Sequence, residues 1–157
     1  MKCTNLFSTR SDDWSALVVR LTLGLIMFPH GAQKLLGWFG GYGFSGTMDA
    51  FTHGMHLPWI IAFLVILIES IGSLALIAGV ATRFFSLAML GNFIGIILTA
   101  HLHNGFFMNW YMQPNKPEGF EYHLLILGLA IAAMIAGGGK WSIDSLLMKC
   151  KKSKTNY

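Results

Sequence analysis

Four long apolar runs dominate this chain, at residues 14–36, 59–80, 84–100 and 122–136. A helix that crosses a bilayer needs about 20 residues, within a range of roughly 17–25. The first two runs meet that length directly. The third meets it when carried to residue 102, and the fourth when it takes in residues 120–137. Charged residues make up 11% of the 157 positions and hydrophobic ones 54%, whereas a soluble domain carries about 25% charge. The expectation is therefore all-α: an integral membrane four-helix bundle in one domain over 1–157. Its spans fall at about 14–36, 59–80, 84–102 and 120–137, followed by a basic tail at 141–157.

The cations set the orientation. Lys2, Arg10, Arg83, Lys140, Lys149, Lys151, Lys152 and Lys154 fall at the end bearing both termini, while the opposite end holds only Lys34 and Lys116. By the positive-inside rule both termini are expected in the cytoplasm. The net charge of +4 then reflects topology and attraction to anionic headgroups, so the bilayer is a partner and nucleic acid is not. The first run is too long for the apolar core of a cleavable signal and is expected to stay. Cys3 and Cys150 fall on the reducing side and form no Cys-x-x-Cys pair, which argues against both a structural disulfide and thiol–disulfide chemistry.

The connections differ between the two ends. Only residues 81–83 separate the second and third runs, which must form an antiparallel hairpin. The 37–58 connection begins with five glycines and then spaces Phe44, Met48, Phe51 and Met55 as on one face of a short amphipathic helix; an irregular glycine loop is the other reading. The 103–121 connection carries Phe106, Phe107, Trp110 and Tyr111 before Pro114 and Pro117, as a lid over the bundle mouth or an interfacial anchor would. After the glycines at 137–139, Ser142 is placed to cap a last short helix with Asp144 in its first turn.

Charges inside the first run are the feature that points to function. At 100° per residue Arg20, Gly24, Met27, His30, Gly31 and Lys34 share an arc of roughly 120° on a ladder about 20 Å tall. Arginine near the bilayer centre costs roughly 2.5–3.5 kcal/mol, and glycines let a second backbone come close, so this face is expected to point inward. Packing explains the glycines; for Arg20 the bland alternative is snorkelling to the surface. Pro29 is expected to loosen the helix near Leu25 and Ile26. Glu69, ten residues into the second run, is the natural counter-charge, level with the interval between Arg20 and His30; a purely structural ion pair competes with a proton-handling role.

All six histidines, His30, His53, His56, His101, His103 and His123, lie toward the end away from the termini, as expected of a site opening there whose groups titrate near neutral pH. Their spacings match no metal-binding motif, so no metal is expected. Two of them could in principle ligate a haem, a weaker expectation than a hydrogen-bonding cluster of His30, His101 and His123 with Asn104 and Glu121.

The segment R-L-T-L-G-L-I-M-F-P-H-G-A-Q-K-L at 20–35 resembles the opening signature of the DoxX family of bacterial membrane proteins. E-S-I-G-S-L-A-L-I-A-G-V-A-T-R at 69–83, H-L-H-N-G-F-F at 101–107, E-Y-H-L-L at 121–125 and G-G-G-K-W-S-I-D at 137–144 extend the resemblance over nearly the whole chain. It implies a compact four-helix, multi-pass protein of the bacterial inner membrane. The family includes the DoxD-type subunit of a thiosulfate:quinone oxidoreductase and members linked to redox-stress complexes. Its polar signature falls here on Arg20, His30, Gln33, Lys34, Glu69, Arg83, His101, Asn104, Glu121 and Asp144.

The expected function is a membrane subunit of a redox-linked, quinone-linked system with an inward polar site open to the extracytoplasmic side. Arg20, His30, Lys34 and Glu69 are its candidate catalytic residues, and Gln33, His101, Asn104, Glu121 and His123 would contact a small-molecule ligand, His123 on spatial grounds alone. No electron carrier is evident, so a redox partner protein or bound cofactor must supply electrons. A non-catalytic scaffold or assembly partner is the alternative reading. A small-solute transporter stands behind it, because four short helices leave little room unless the chain forms a homo-oligomer.

Overall fold

The computed structural model describes residues 9–154, with side chains through residue 148. Cys3 and Lys2 lie outside the described residues, as do the side chains of Cys150 and of the tail lysines. Every regular element among the described residues is helical: α1 (Trp14–Leu36), α2 (Gly43–Asp49), α3 (Trp59–Ala78), α4 (Thr82–Ile96), α5 (Glu121–Ala136) and α6 (Ile143–Lys154). A π turn at Ala50–Gly54 prolongs α2, while a π turn at Ile97–His101 and a 3-10 turn at Leu102–Asn104 prolong α4. Three helical stretches, Trp14–Leu36, Trp59–Ala78 and Thr82–Asn104, are long and apolar enough to cross a membrane. The fourth, α5, is apolar but has 16 residues, about 24 Å of rise.

The helix ends follow from local chemistry. Asp13 caps α1 by accepting from Ala16 N at 3.0 Å, and Gly37 ends it in the left-handed region at φ +74°, where glycine carries no Cβ penalty. Helix α1 runs on through Pro29. Ser142 Oγ accepts from Ser145 N at 3.1 Å, capping α6 as its position in the sequence suggests. Asp144 lies in the first turn of that same helix, as expected, and its side chain serves a second helix as well. Its carboxylate accepts from Ala81 N at 2.8 Å and Thr82 N at 2.9 Å and so caps α4. The 37–58 connection is likewise folded rather than irregular: Met48 of α2 is buried against Ala62 and Ile66 of α3, with Phe51 and Phe63 packed around them.

Helix α1 packs most extensively on α3, and α4 on α5. The main core joins all four: Leu23 and Met27 of α1, Leu76 of α3, Met89 and Phe93 of α4, and Ile126 with two alanines of α5. The α1–α3 contact is backbone against backbone. A Cβ added at Gly31 would strike the carbonyl of Glu69 and the Cα of Ser70, and one at Gly24 would lie 3.0 Å from Ser73 O.

At the end bearing the termini, Arg20 ties three segments together. Its guanidinium is 1% exposed, which removes snorkelling as its explanation. Nε donates to Gly138 O at 2.6 Å, Nη1 to Leu76 O at 3.0 Å and Ile77 O at 2.5 Å, and Nη2 to Lys140 O at 3.2 Å and Trp141 O at 3.0 Å. All five guanidinium N–H groups are thereby used. Two acceptors are last-turn carbonyls of α3, which have no partner inside their helix; three belong to the α5–α6 joint. Asp144, also buried, adds favourable charge to the guanidinium.

Two outcomes follow. Gly31→Ala should destabilise the protein by about 1–3 kcal/mol, because neither backbone can retreat without opening the bundle. Gly128→Ala, on α5 with nothing within 4 Å of an added Cβ, should be neutral or stabilising by up to about 1 kcal/mol; thermal unfolding in detergent separates the two. Arg20→Lys keeps the charge but has three donors for five acceptors. It should lower the unfolding temperature and speed proteolysis at the α5–α6 joint, where an unchanged digestion rate would contradict the clamp.

Candidate functional site

Toward the histidine-bearing end the helices part around a cavity of about 700 Å³, lined from α1, α3, α4 and α5. Phe51, Met55 and Leu57 reach it from the segment after α2, and Met108 and Glu118 from the α4–α5 connection, so these loops roof it. Ile61, Leu64, Val65, Ile68 and Ile96 form an apolar wall. A small cluster of polar groups, Lys34, Glu69, Asn92, His101 and His123, interrupts this mainly apolar lining.

The polar cluster centres on Glu69, which is 2% exposed. Lys34 Nζ donates to its Oε2 at 2.7 Å, and Asn92 Nδ2 to its Oε1 at 3.1 Å. The contact at Gly31 makes this pairing. It sets α1 against α3 at Glu69 and Ser70, and Lys34 lies one turn further along the same face. Lys34, 23% exposed in its side chain, bridges from the rim to a buried carboxylate. Such a pair needs its remaining lone pairs satisfied to offset desolvation, which is what Asn92 does.

A second polar group stands beside it. The rings of His101 and His123 lie 4.3 Å apart, with Phe93 against His123 at 5.6 Å. His101 Nδ1 lies 2.9 Å from Glu118 O; a carbonyl only accepts, so Nδ1 carries the proton and Nε2 is left as acceptor. His123 lines the cavity, is 8% exposed, and its Nδ1 has no hydrogen-bond partner among the described residues. Tyr122 stands next to it on the same wall.

Of the residues singled out in the sequence, His30, Lys34, Glu69, His101 and His123 line this cavity and Arg20, Gln33, Asn104 and Glu121 do not. Arg20 and Glu69 do not meet: Arg20 bonds the carbonyls of Leu76 and Ile77, about 10 Å of helix rise from Glu69. Gln33 Nε2 donates to Phe39 O at 3.3 Å. Asn104 Nδ2 donates to Ala100 O and to Glu118 O, while Glu121 accepts from Met108 N and from Trp110 Nε1 at 3.0 Å. These last two hold the roof. His53 pairs with Asp49 at 2.7 Å on the surface, and His56 and His103 are exposed. Asn92 and Tyr122 were missed in the sequence. For Asn92 the signal was present: it is a lone amide in the middle of an apolar run. Among the described residues no three His, Cys, Asp or Glu side chains gather as for a metal ion.

Comparison with known proteins agrees with this architecture. The chain matches the DoxX family over residues 15–102. It is 28% identical to the "Putative oxidoreductase CatD" of Bacillus subtilis (strain 168) over 144 residues, covering 92% of this chain and 95% of that one. It is 31% identical to the "Inner membrane protein YqjF" of Escherichia coli (strain K12) over 138 residues, covering 88% and 95%. No solved structure matches. With three helices able to cross a bilayer, it is a multi-pass protein of the bacterial inner membrane. The match over more than half its length, and two relatives spanned almost end to end, make this chain a member of the DoxX family.

Proposed function

We propose that this protein is the membrane subunit of a redox-linked system and that its cavity holds a small quinone-like molecule. The observation that carries the reading is a 700 Å³ space whose mainly apolar lining carries a cluster of ionisable groups, within the size range of ligand sites, roughly 300–1,000 Å³. Both termini lie in the cytoplasm on this reading, so the cavity belongs to the extracytoplasmic half.

Reducing a quinone to a quinol takes two electrons and two protons. Lys34 supplies positive potential and a donor to a carbonyl oxygen, Glu69 and His30 exchange protons, and His101 and His123 orient the ring through the nitrogens their neighbours leave free. A redox partner protein supplies the electrons. The relative named an oxidoreductase is consistent with this assignment. Arg20 drops out of the chemistry, since every donor it has is spent on backbone carbonyls. Haem does not suit the histidine pair: at 4.3 Å between ring centroids no macrocycle fits between them.

A scaffold reading draws on one observation, that both oxygens of Glu69 are already satisfied within the protein. The discriminating test is quinone binding by purified protein in lipid nanodiscs. The paired variant Lys34→Met with Glu69→Gln removes both charges together and avoids stranding one of them. It should fold and bind a short-chain quinone about tenfold or more weakly, about 1.4 kcal/mol or more. Wild type that carries no quinone, binds none, and leaves quinone redox state unchanged with its partner present would establish the scaffold instead.

A further inference from the structure

Two glycines of α4 have no packing reason to be glycine. Gly91 and Gly95, one helical turn apart, both line the cavity, and a Cβ added to either meets nothing within 4 Å. Gly24 and Gly31 differ in that each admits a backbone or side chain of α3. Glycine inside a helix is less favourable than alanine, and at positions 91 and 95 no contact offsets that. What the missing side chains leave is space.

The space lies along the α3–α4 seam. The Asn92–Glu69 hydrogen bond and the approach of Gly72 to Phe85 fix the antiparallel register. Gly91 is therefore level with Glu69, Gly95 with Val65 and Thr99 with Ile61, a height of about 12 Å. The residues flanking this seam belong to the cavity lining and to the outer surface at once: Ile61 is 44% exposed and Leu64 40%, and Gly91 and Thr99 are exposed too. Thr99 turns its hydroxyl back to Gly95 O at 2.8 Å, which leaves the seam's edge apolar. The cavity thus breaks the surface sideways, at hydrocarbon depth, while loop residues roof its aqueous end. His123, nine-tenths buried with a free Nδ1, belongs to the same space and lacks the partner that a bound polar head would provide.

We propose that the α3–α4 seam is a lateral portal, and that the occupant is a lipid-borne quinone with a long alkyl or isoprenoid tail. Its head lies against Lys34, Glu69, Asn92 and His123, and its tail leaves over Gly95 between α3 and α4 into the bilayer. This rests on the quinone reading and specifies it: the substrate comes from the membrane pool and not from the aqueous phase.

The test compares two probes with one head group, a dimethoxy-methyl benzoquinone with and without a decyl tail, bound to nanodisc-embedded protein and corrected for lipid partitioning. The variant Gly95→Leu fills the seam one turn away from the head's level, and Gly128→Leu on α5 is the control. Gly95→Leu should weaken the tailed probe on the order of tenfold or more, about 1.4 kcal/mol, and leave the tailless one within about twofold. Gly95→Ala, which has room for its methyl, should fold as wild type and give a smaller loss in the same direction. On wild type, a photoreactive group at the tail's end should label surface residues flanking the seam, such as Leu64. Equal loss of both probes, indifference of the tailed probe, or labelling confined to the roof residues Met55, Leu57 and Met108 overturns the portal while leaving the quinone site standing. Wild type that binds neither probe overturns both.

Discussion

Helix α1 meets helix α3 with backbone against backbone at Gly31, and the placement of the buried charges follows from that contact. With no Cβ at Gly31, the two axes approach closely enough for Glu69 and Ser70 to lie directly beneath it. That sets the register of the helix pair. Lys34, one turn on, lands on Glu69, while Arg20, three turns back, lands on the last-turn carbonyls of α3. In hydrocarbon the penalty for an unmatched charge is large, so a fold holding three buried ionic groups must satisfy each of them locally. Here the matching is done twice, in two unlike ways.

At the end bearing the termini the matching is closed. Arg20 meets five carbonyls, Asp144 meets the first amides of α4, and Ser142 caps α6. The charged groups there are matched within the protein, and the arrangement welds the α3–α4 turn to the α5–α6 joint. At the other end the matching is open. The Lys34–Glu69–Asn92 group borders a cavity, His101 keeps an acceptor nitrogen, and His123 keeps an unpartnered one. One end closes on itself and the other borders a cavity, so two polar clusters that look alike in the sequence lie in unlike surroundings.

The inward face of α1 was legible because helical periodicity alone gathers Arg20, Gly24, Gly31 and Lys34 on one arc, and glycines among charges have no reason to face lipid. Which charge meets which was not legible. The partner of Glu69 depends on a register set by one glycine, and the partners of Arg20 come from residues 56–57 and 118–121 positions away. No periodicity reaches that far. Asp144 does lie in the first turn of α6, as the sequence suggests, but that its carboxylate also caps α4, 62–63 positions back in the chain, was not legible for the same reason. Asn104 and Glu121 were read as ligand contacts from the family's polar signature and their place beside the histidines at the bundle mouth, yet they bond the backbone and Trp110 of the aromatic connection. Gly91 and Gly95 carried no signal at all, since a glycine that packs and a glycine that leaves space look identical in a string of letters.

The central claim is that Glu69 faces a guest and is more than a partner for Lys34. Infrared difference spectra of the lipid-embedded protein, recorded with and without quinone, address it directly. The account predicts a change in the carboxyl-region bands on binding, lost in Glu69→Gln and retained in a variant of the exposed surface residue Asp49. A spectrum in which Glu69 gives no band change while quinone occupies the protein would contradict it.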